Sequence, residues 1–310
     1  MFSQKGLLTA LLIVVSIALS GVTEATGTEI DAAMAQRIQE SAKQGEADGQ
    51  YALGWMYEQG QGVSQDDKQA VKWYRNAANQ GYALAQYELA RMYALGKGIP
   101  QDEKKSVELI IKAADQGYAQ AQYHLGRLYQ APLIDLGPLT EQAPSAFVQV
   151  DDKQAVMWYR KAAEQGHIDA QFALSNMYYY GHGIPRSKTQ AYAWGRKAAE
   201  QGHAEAQFQL GRLYAFSDLR NDALAVEWFL CAAKQDHSSA QFKLGWMYHL
   251  GMGVEQSDRQ AFHWFILAAE QDHAGAQASL GEMYKNGWGV EQDDVAAQDW
   301  FYRARTMHYP

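Results

Sequence analysis

Apolar residues recur three and four positions apart along most of the chain, and short polar breaks separate these stretches. Two kinds of segment alternate. The first is typified by AQYELARMY at residues 85–93 and the second by AVKWYRNAANQG at residues 70–81. This spacing places the apolar side chains on one face of a helix. The pattern therefore predicts an all-α chain of alternating amphipathic helices.

The alternation has a regular period. The second kind of helix ends in a related tripeptide, such as NQG at residues 79–81 and EQD at residues 270–272. Counted from Gly45, the intervals between these endings are 36, 36, 49, 36, 34 and 36 residues. A helix pair of this size cannot bury its apolar faces alone, so neighbouring pairs must stack. We predict a solenoid of about seven helix-turn-helix repeats over residues 45–310, preceded by a capping helix within residues 26–44.

A G-x-G motif follows the first helix in five of the seven repeats. It begins at Gly60, Gly96, Gly181, Gly251 and Gly287. A glycine just past a helix can adopt the left-handed conformation that closes the last turn. A dinucleotide-binding loop would need a third glycine, a preceding strand and a βαβ unit, and the pattern contains none of these. We therefore interpret the motif as a corner between helices and predict no cofactor.

This pattern resembles the Sel-one-like repeat (SLR), a relative of the tetratricopeptide repeat with a longer unit. The resemblance extends over residues 45–308 in seven consecutive units. It implies antiparallel helix pairs stacked into a right-handed α/α superhelix. It also implies a role as an adaptor for protein complexes, because members commonly act in this way, many of them in bacterial envelopes or secretory compartments.

Two residue types recur at one position of several repeats. Tryptophans of the second helix, from Trp73 to Trp300, are predicted to lie in the core. Histidines share a position in the turn that follows, and these are His167, His203, His237 and His273. Stacked helices lie about 10 Å apart, whereas zinc–nitrogen bonds measure about 2 Å. Neighbouring repeats therefore cannot share one ion through these histidines, and we predict no metal site.

Residues 1–25 are predicted to be a secretory signal peptide. Lys5 precedes an apolar run from Leu7 to Leu19, which is shorter than the about 20 residues that span a bilayer. Cleavage is expected after Ala25, with Ala18-x-Ser20 as the other candidate site, and leaves no stable membrane span. An uncleaved anchor is the alternative. The chain has no N-x-[ST] sequon, which favours a bacterial periplasm over the alternatives, secretion or a eukaryotic secretory lumen.

Charge and motif content exclude several classes of function. The net charge is −8, and an acidic protein repels the phosphates of nucleic acid. Some SLR proteins have been described as binding or hydrolysing β-lactams. No serine in this chain has the lysine three residues later that Ser-x-x-Lys requires, and G-x-S-x-G and H-E-x-x-H are absent too. We predict no catalytic residues.

The first helix has four positions that vary between repeats, residues 48, 52, 55 and 59 in the first repeat. Their spacing of 4, 3 and 4 places them on one face, which in related solenoids lines a concave groove. Arginine and large aromatic residues are enriched at interface hot spots. The candidate groove residues are Trp55, Arg91, Arg127, Asn176, Tyr180, Arg212, Phe216 and Trp246. The alternative is a solvated face on which some arginines pack against neighbouring side chains.

The third repeat is 13 residues longer than its neighbours and contains an apolar loop at residues 130–150. Long loops of this kind are usually functional or disordered. The candidate binding residues in this loop are Leu133, Ile134, Leu136 and Phe147.

The leading hypothesis is a non-enzymatic scaffold outside the cytoplasm that binds a protein or peptide segment in its groove. A glycan-binding scaffold of the cell envelope is the first alternative, since aromatic side chains also stack on sugars. A β-lactam-binding or β-lactam-hydrolysing enzyme is the less favoured alternative.

Overall fold

The computed structural model describes residues 30–130, 148–216 and 220–306. These ranges contain 15 α-helices and no β-strand. The helices are α1 (Ala32–Gln44), α2 (Ala47–Gln59), α3 (Asp67–Asn79), α4 (Ala83–Leu95), α5 (Glu103–Asp115), α6 (Ala119–Gln130), α7 (Asp152–Glu164), α8 (Ile168–Tyr180), α9 (Lys188–Glu200), α10 (Ala204–Phe216), α11 (Asp222–Ala233), α12 (Ser238–Leu250), α13 (Asp258–Glu270), α14 (Ala274–Asn286) and α15 (Asp294–Thr306). The predicted signal peptide and the four candidate loop residues lie outside the described residues.

The chain divides into two compact parts, residues 1–167 and residues 168–310. Within each part, every helix packs against the next helix along the chain. The helix pairs α2/α3, α4/α5 and α6/α7 are the first three repeats and belong to the N-terminal part. The pairs from α8/α9 to α14/α15 are the fourth to seventh repeats and belong to the C-terminal part. The predicted all-α helical-repeat fold is confirmed.

The G-x-G motif ends one helix and brings two repeats into contact. Gly96 has a φ of 65°, and its N–H donates to the carbonyl of Met92, which closes the last turn of α4. Gly98 also has a positive φ, and a Cβ at this position would lie 2.4 Å from the carbonyl oxygen of Asp67. Asp67 begins α3 of the preceding repeat. The motif is therefore a corner between helices, as predicted, and its second glycine also permits close packing.

Repeated glutamines join the two helices of a repeat and connect that repeat to the preceding one. The Gln116 Nε2 donates to the Gln86 Oε1 at 2.7 Å, and the Gln86 Nε2 donates to the Ala78 carbonyl at the end of α3. Buried amides need such partners. The same glutamine–glutamine bond, at 2.7–2.8 Å, joins Gln80 to Gln50, Gln116 to Gln86, Gln165 to Gln122, Gln201 to Gln171, Gln235 to Gln207 and Gln271 to Gln241. The glutamine pair therefore holds the two helices of one repeat together, and the first-helix glutamine also stabilises the stacking on the preceding repeat.

The centre of a repeat is a ring from its second helix packed against a glycine of its first helix. A Cβ at Gly54 would lie 2.7 Å from the ring of Tyr74, so only glycine leaves room for this ring. The pairs are Gly54 with Tyr74, Gly126 with Tyr159, Gly211 with Phe229, Gly245 with Phe265 and Gly281 with Phe301. In the second repeat, Ala90 and Ile110 occupy the two positions, and both are buried.

The prediction that the tryptophan row lies in the core is right only for Trp158, which is buried, whereas the others are partly buried. The tryptophan lies one residue before the buried ring, and basic side chains cover several of these indoles. The Nζ of Lys197, for example, lies 4.1 Å from the ring centroid of Trp194. In the first, third, fifth and sixth repeats, the large side chain that the second helix buries most completely is therefore the residue after the tryptophan.

Candidate functional site

The fourth repeat departs from this pairing of ring and glycine. Gly195 stands on α9 where other repeats have the buried ring, and Ser175 stands on α8 where they have the glycine. The Ser175 hydroxyl donates to the Ala191 carbonyl at 2.7 Å. A Cβ at Gly195 would lie 2.9 Å from the Ser175 Oγ. The fourth repeat therefore lacks the ring that fills the centre of its neighbours.

A cavity of about 340 Å³ lies at this position, between α8, α9 and α10. Its volume lies near the lower end of the about 300–1,000 Å³ that is usual for ligand sites. Ser175, Ala191, Ala206 and Leu210 form its buried floor beside Gly195. These side chains are small or apolar, so the deepest part of the cavity suits an apolar group.

Aromatic side chains surround the entrance of the cavity. Tyr180 and Phe216 are each 64% exposed, and Tyr179 and Tyr192 also line the cavity with exposed rings. Exposed aromatic side chains around a recess are typical of a binding surface. Four of the candidate groove residues line this cavity, and they are Asn176, Tyr180, Arg212 and Phe216. Sequence reasoning found these four but missed Ser175 and Gly195, although their departure from the repeat was visible in the sequence.

The entrance of the cavity is cationic. Arg196 and Arg212 line it, and none of the described lining residues is an Asp or Glu. The Arg196 Nε lies 2.7 Å from the Glu200 Oε1. Arg212 is exposed and lies over the Phe208 ring, 5.8 Å from its centroid. Within the part of the chain that the structure describes, Arg212 has no ion-pair partner and its side chain is exposed.

Three other candidate groove residues, Trp55, Arg91 and Trp246, do not line this cavity. Trp55 is 9% exposed and belongs to the core of the N-terminal part, so the prediction of an open face is wrong there. The Arg91 guanidinium forms ion pairs with Glu58, which is 3% exposed, and with Glu88. Arg91 thus fits the alternative in which arginines pack on neighbouring side chains. Trp246 is partly open and contacts the Phe265 ring edge-on.

Arg127 lies over the Tyr123 ring and beside His124 in the N-terminal part. The Gln120 Nε2 lies 3.2 Å from the His124 Nε2, and the Gln120 Oε1 is 2.7 Å from the His167 Nε2. An amide N–H aimed at a ring nitrogen needs a lone pair there, so this arrangement favours neutral His124. Burial, together with the charges of Arg127 and His167, lowers the pKa of His124 to about 3.

We expect His124 to make the protein less stable in mild acid. The pKa of an unfolded histidine is about 6.5. Between pH 6.5 and 3, the histidine therefore binds a proton in the unfolded chain but stays neutral in the folded protein. This should lower the free energy of unfolding by up to about 1.4 kcal/mol per pH unit as the pH falls through that range. Urea denaturation of wild type and His124→Gln between pH 4 and 8, taking ~0.5 pH steps, measures the difference in slope.

The same change at the exposed His263 is the control and should leave the slope unchanged. Equal slopes for wild type and His124→Gln would contradict the expectation.

Some of the repeated histidines cap the N-termini of the helices that follow them. The Nδ1 atoms of His237 and His273 accept the N–H groups of Ala240 and Ala276. Among the described residues, no cluster of three His, Cys, Asp or Glu side chains could hold a metal ion. No helix in the described ranges is both long and apolar enough to cross a membrane.

The family model of the Sel1 repeat matches residues 47–82, 83–118, 119–143, 143–167, 168–203, 204–237, 238–273 and 274–308. The chain belongs to the Sel1 repeat family. The eight Sel1 matches compare with about seven predicted repeats because the model matches the two halves of the third repeat separately. In the structure, α6 and α7 pair through Gly126 and Tyr159 like the helices of the other repeats.

Two solved Sel1 structures are similar to this chain. One is c5321, a protective antigen of uropathogenic Escherichia coli strains with an SLR fold, at 38% identity and a TM-score of 0.73 over 89% of this chain. The match covers 56% of that protein's length, so this chain spans little more than half of it. The other is a Sel1 repeat protein from Oxalobacter formigenes, at 32% identity and a TM-score of 0.65 over 99% of this chain and 84% of the other.

A search of the curated proteins found no match. Sel1 repeat proteins generally act as scaffolds for protein–protein interaction.

Proposed function

We propose that this Sel1 repeat protein is an exported, non-enzymatic scaffold that binds a protein or peptide segment at the cavity between α8, α9 and α10. The observation that carries the proposal is the cavity itself, which four independently predicted groove residues line. Two large aromatic side chains at its entrance are each 64% exposed. Solvent-exposed rings of this size beside an apolar recess support binding of a partner.

The proposed site of action is the bacterial periplasm. The support for export is the sequence of residues 1–25, with a single lysine, a short apolar run and small residues before the expected cleavage after Ala25. A scaffold in this compartment meets envelope proteins rather than nucleic acid, in agreement with the net charge of −8.

Photo-crosslinking in living cells tests the proposal. A benzophenone amino acid replaces Phe216 at the cavity entrance, and a control variant carries it at Val295, which is 79% exposed and does not line the cavity. We expect illumination to link the Phe216 variant to a protein of the envelope fraction, whereas the Val295 variant forms no such product. The adduct should contain a chain that begins at Thr26. Equal adducts from both positions, or adducts in the cytoplasm alone, would contradict the proposal.

Glycan binding is the competing outcome of this experiment. If Phe216 links to no protein, the purified protein should be tested with cell-wall glycan. Binding of glycan that Tyr180→Ala and Phe216→Ala together abolish would replace the protein scaffold with a glycan-binding one.

A further inference from the structure

We propose that the cavity of the fourth repeat receives the ring of a phenylalanine or tyrosine from a partner segment whose flanking residues are acidic. This inference rests on the proposed scaffold function and names the chemistry of its partner.

The neighbouring repeats indicate what the cavity accepts. The position of Gly195 is occupied by Tyr74, Tyr159, Phe229 and Phe265 in other repeats, and each of those rings is at most 2% exposed. The surrounding framework is the same, with a small residue on the first helix and buried alanines on the second. A recess made by leaving out a ring from a repeated ring site has the shape and the apolar floor that suit a ring.

The position also accepts a phenolic hydroxyl. In the first repeat, the Tyr74 hydroxyl donates to Glu58, and in the third, the Tyr159 hydroxyl donates to Gln130. Both acceptors stand at the twelfth position of the first helix of their repeat. The corresponding residue of α8 is Tyr179, which lines the cavity. Its hydroxyl can accept a hydrogen bond, so both phenylalanine and tyrosine are compatible with this site.

The charge at the entrance selects the flanking residues. Arg212 lines the cavity together with Arg196, which pairs with Glu200, and the described lining residues include no carboxylate, on a chain with a net charge of −8. An acidic segment therefore meets local attraction at this place, and electrostatic complementarity of this kind gives specificity and faster association.

Three short peptides, acetylated and amidated, test the proposal by calorimetry or protein-observed NMR. DDFDD carries both features, DDADD lacks the ring and NNFNN lacks the charge. We expect DDFDD to bind the purified protein at least about 10-fold more tightly than DDADD, as burial of one ring implies. Arg212→Glu should weaken DDFDD by about 5-fold and leave NNFNN unchanged. Arg303→Glu, the same charge change at an arginine that does not line the cavity, should alter neither.

Two variants close the cavity with residue pairs that this chain uses in other repeats. Ser175→Gly with Gly195→Phe copies the fifth repeat, and Ser175→Ala with Gly195→Ile copies the second. Both should remove the preference for DDFDD over DDADD. The second pair provides the test if the first fails to fold, and helical circular dichroism establishes which of them is folded.

Each remaining outcome overturns the inference. These are the absence of a difference between DDFDD and DDADD at millimolar peptide, a preference that survives in the closed variants, and glycan binding that the closed variants lose. A wild-type dimer that the closed variants convert to monomer would identify a second copy as the occupant. If crosslinking from Phe216 still captures the same envelope protein in a closed variant, the scaffold function holds and the ring site alone is wrong.

Discussion

Arg91→Met should lower the free energy of unfolding by about 3 kcal/mol, because it leaves the carboxylate of Glu58 buried without its main partner. Glu58 is 3% exposed, accepts the Tyr74 hydroxyl at 2.8 Å and has the Lys97 Nζ at 3.5 Å. The lysine compensates only in part, since it lies at the limit of hydrogen-bond distance. Urea denaturation at pH 7 measures the loss.

Arg212→Met is the matched control, since Arg212 occupies the same position of its repeat and is exposed. Its effect should stay within about 0.5 kcal/mol. Adding Glu58→Gln to Arg91→Met should recover a large share of the loss, because the uncompensated charge is then gone. A loss below about 1 kcal/mol for Arg91→Met would mean that the ion pair contributes no more than a surface one.

The same ion pair has a definite pH dependence. Burial by itself raises the pKa of Glu58, but the Arg91 guanidinium outweighs it and holds the pKa below its ordinary value of 4.5. A lowered carboxyl pKa contributes stability above the unfolded pKa, and this contribution disappears as the pH falls through the folded pKa. The difference between wild type and Arg91→Met should therefore shrink below pH 4.5.

The period of the repeat, its corners and its helices were predictable because each is determined by residues that lie close together in the sequence. A glycine after a helix and an acidic residue before the next one specify a corner in any sequence. The recurrence of these signals every 36 residues identifies the stack without further information. The function of the repeated glutamines was not predictable in this way, since their partners lie on a different helix, about 30 residues away in most repeats.

The candidate site was predictable only in part, because variability between repeats does not determine exposure. Tyr180 and Arg91 both occupy variable positions of the first helix. Tyr180 extends into solvent, but Arg91 meets Glu58, which the preceding repeat directs into its own core. Only the packing of two repeats decides between these outcomes. The exchange of Ser175 and Gly195 did carry a signal, since a glycine at a position otherwise filled by a ring implies missing volume.

Copying that exchange into the fifth repeat, by Gly211→Ser with Phe229→Gly, should lower the free energy of unfolding by about 4 kcal/mol. The loss combines the removal of a fully buried ring with the cost of a glycine inside a helix. Thermal and urea denaturation measure it, and Phe262→Ala, which removes a partly buried ring of the next repeat, should cost less. A loss no greater than that of Phe262→Ala would refute the central role of the ring.

The same exchange in the sixth repeat, by Gly245→Ser with Phe265→Gly, separates the two features of the proposed ligand. A cavity opened there would be bordered by Trp246 and Glu282, which occupy the helix positions that Asn176 and Arg212 occupy beside the natural cavity. The second cavity should therefore favour a phenylalanine peptide over its alanine counterpart without favouring acidic flanks. If the new cavity preferred acidic peptides as strongly as the natural one does, Arg212 could not be the source of the charge selectivity. The ring preference follows from the repeat, and the charge preference follows from one arginine that the repeat does not dictate.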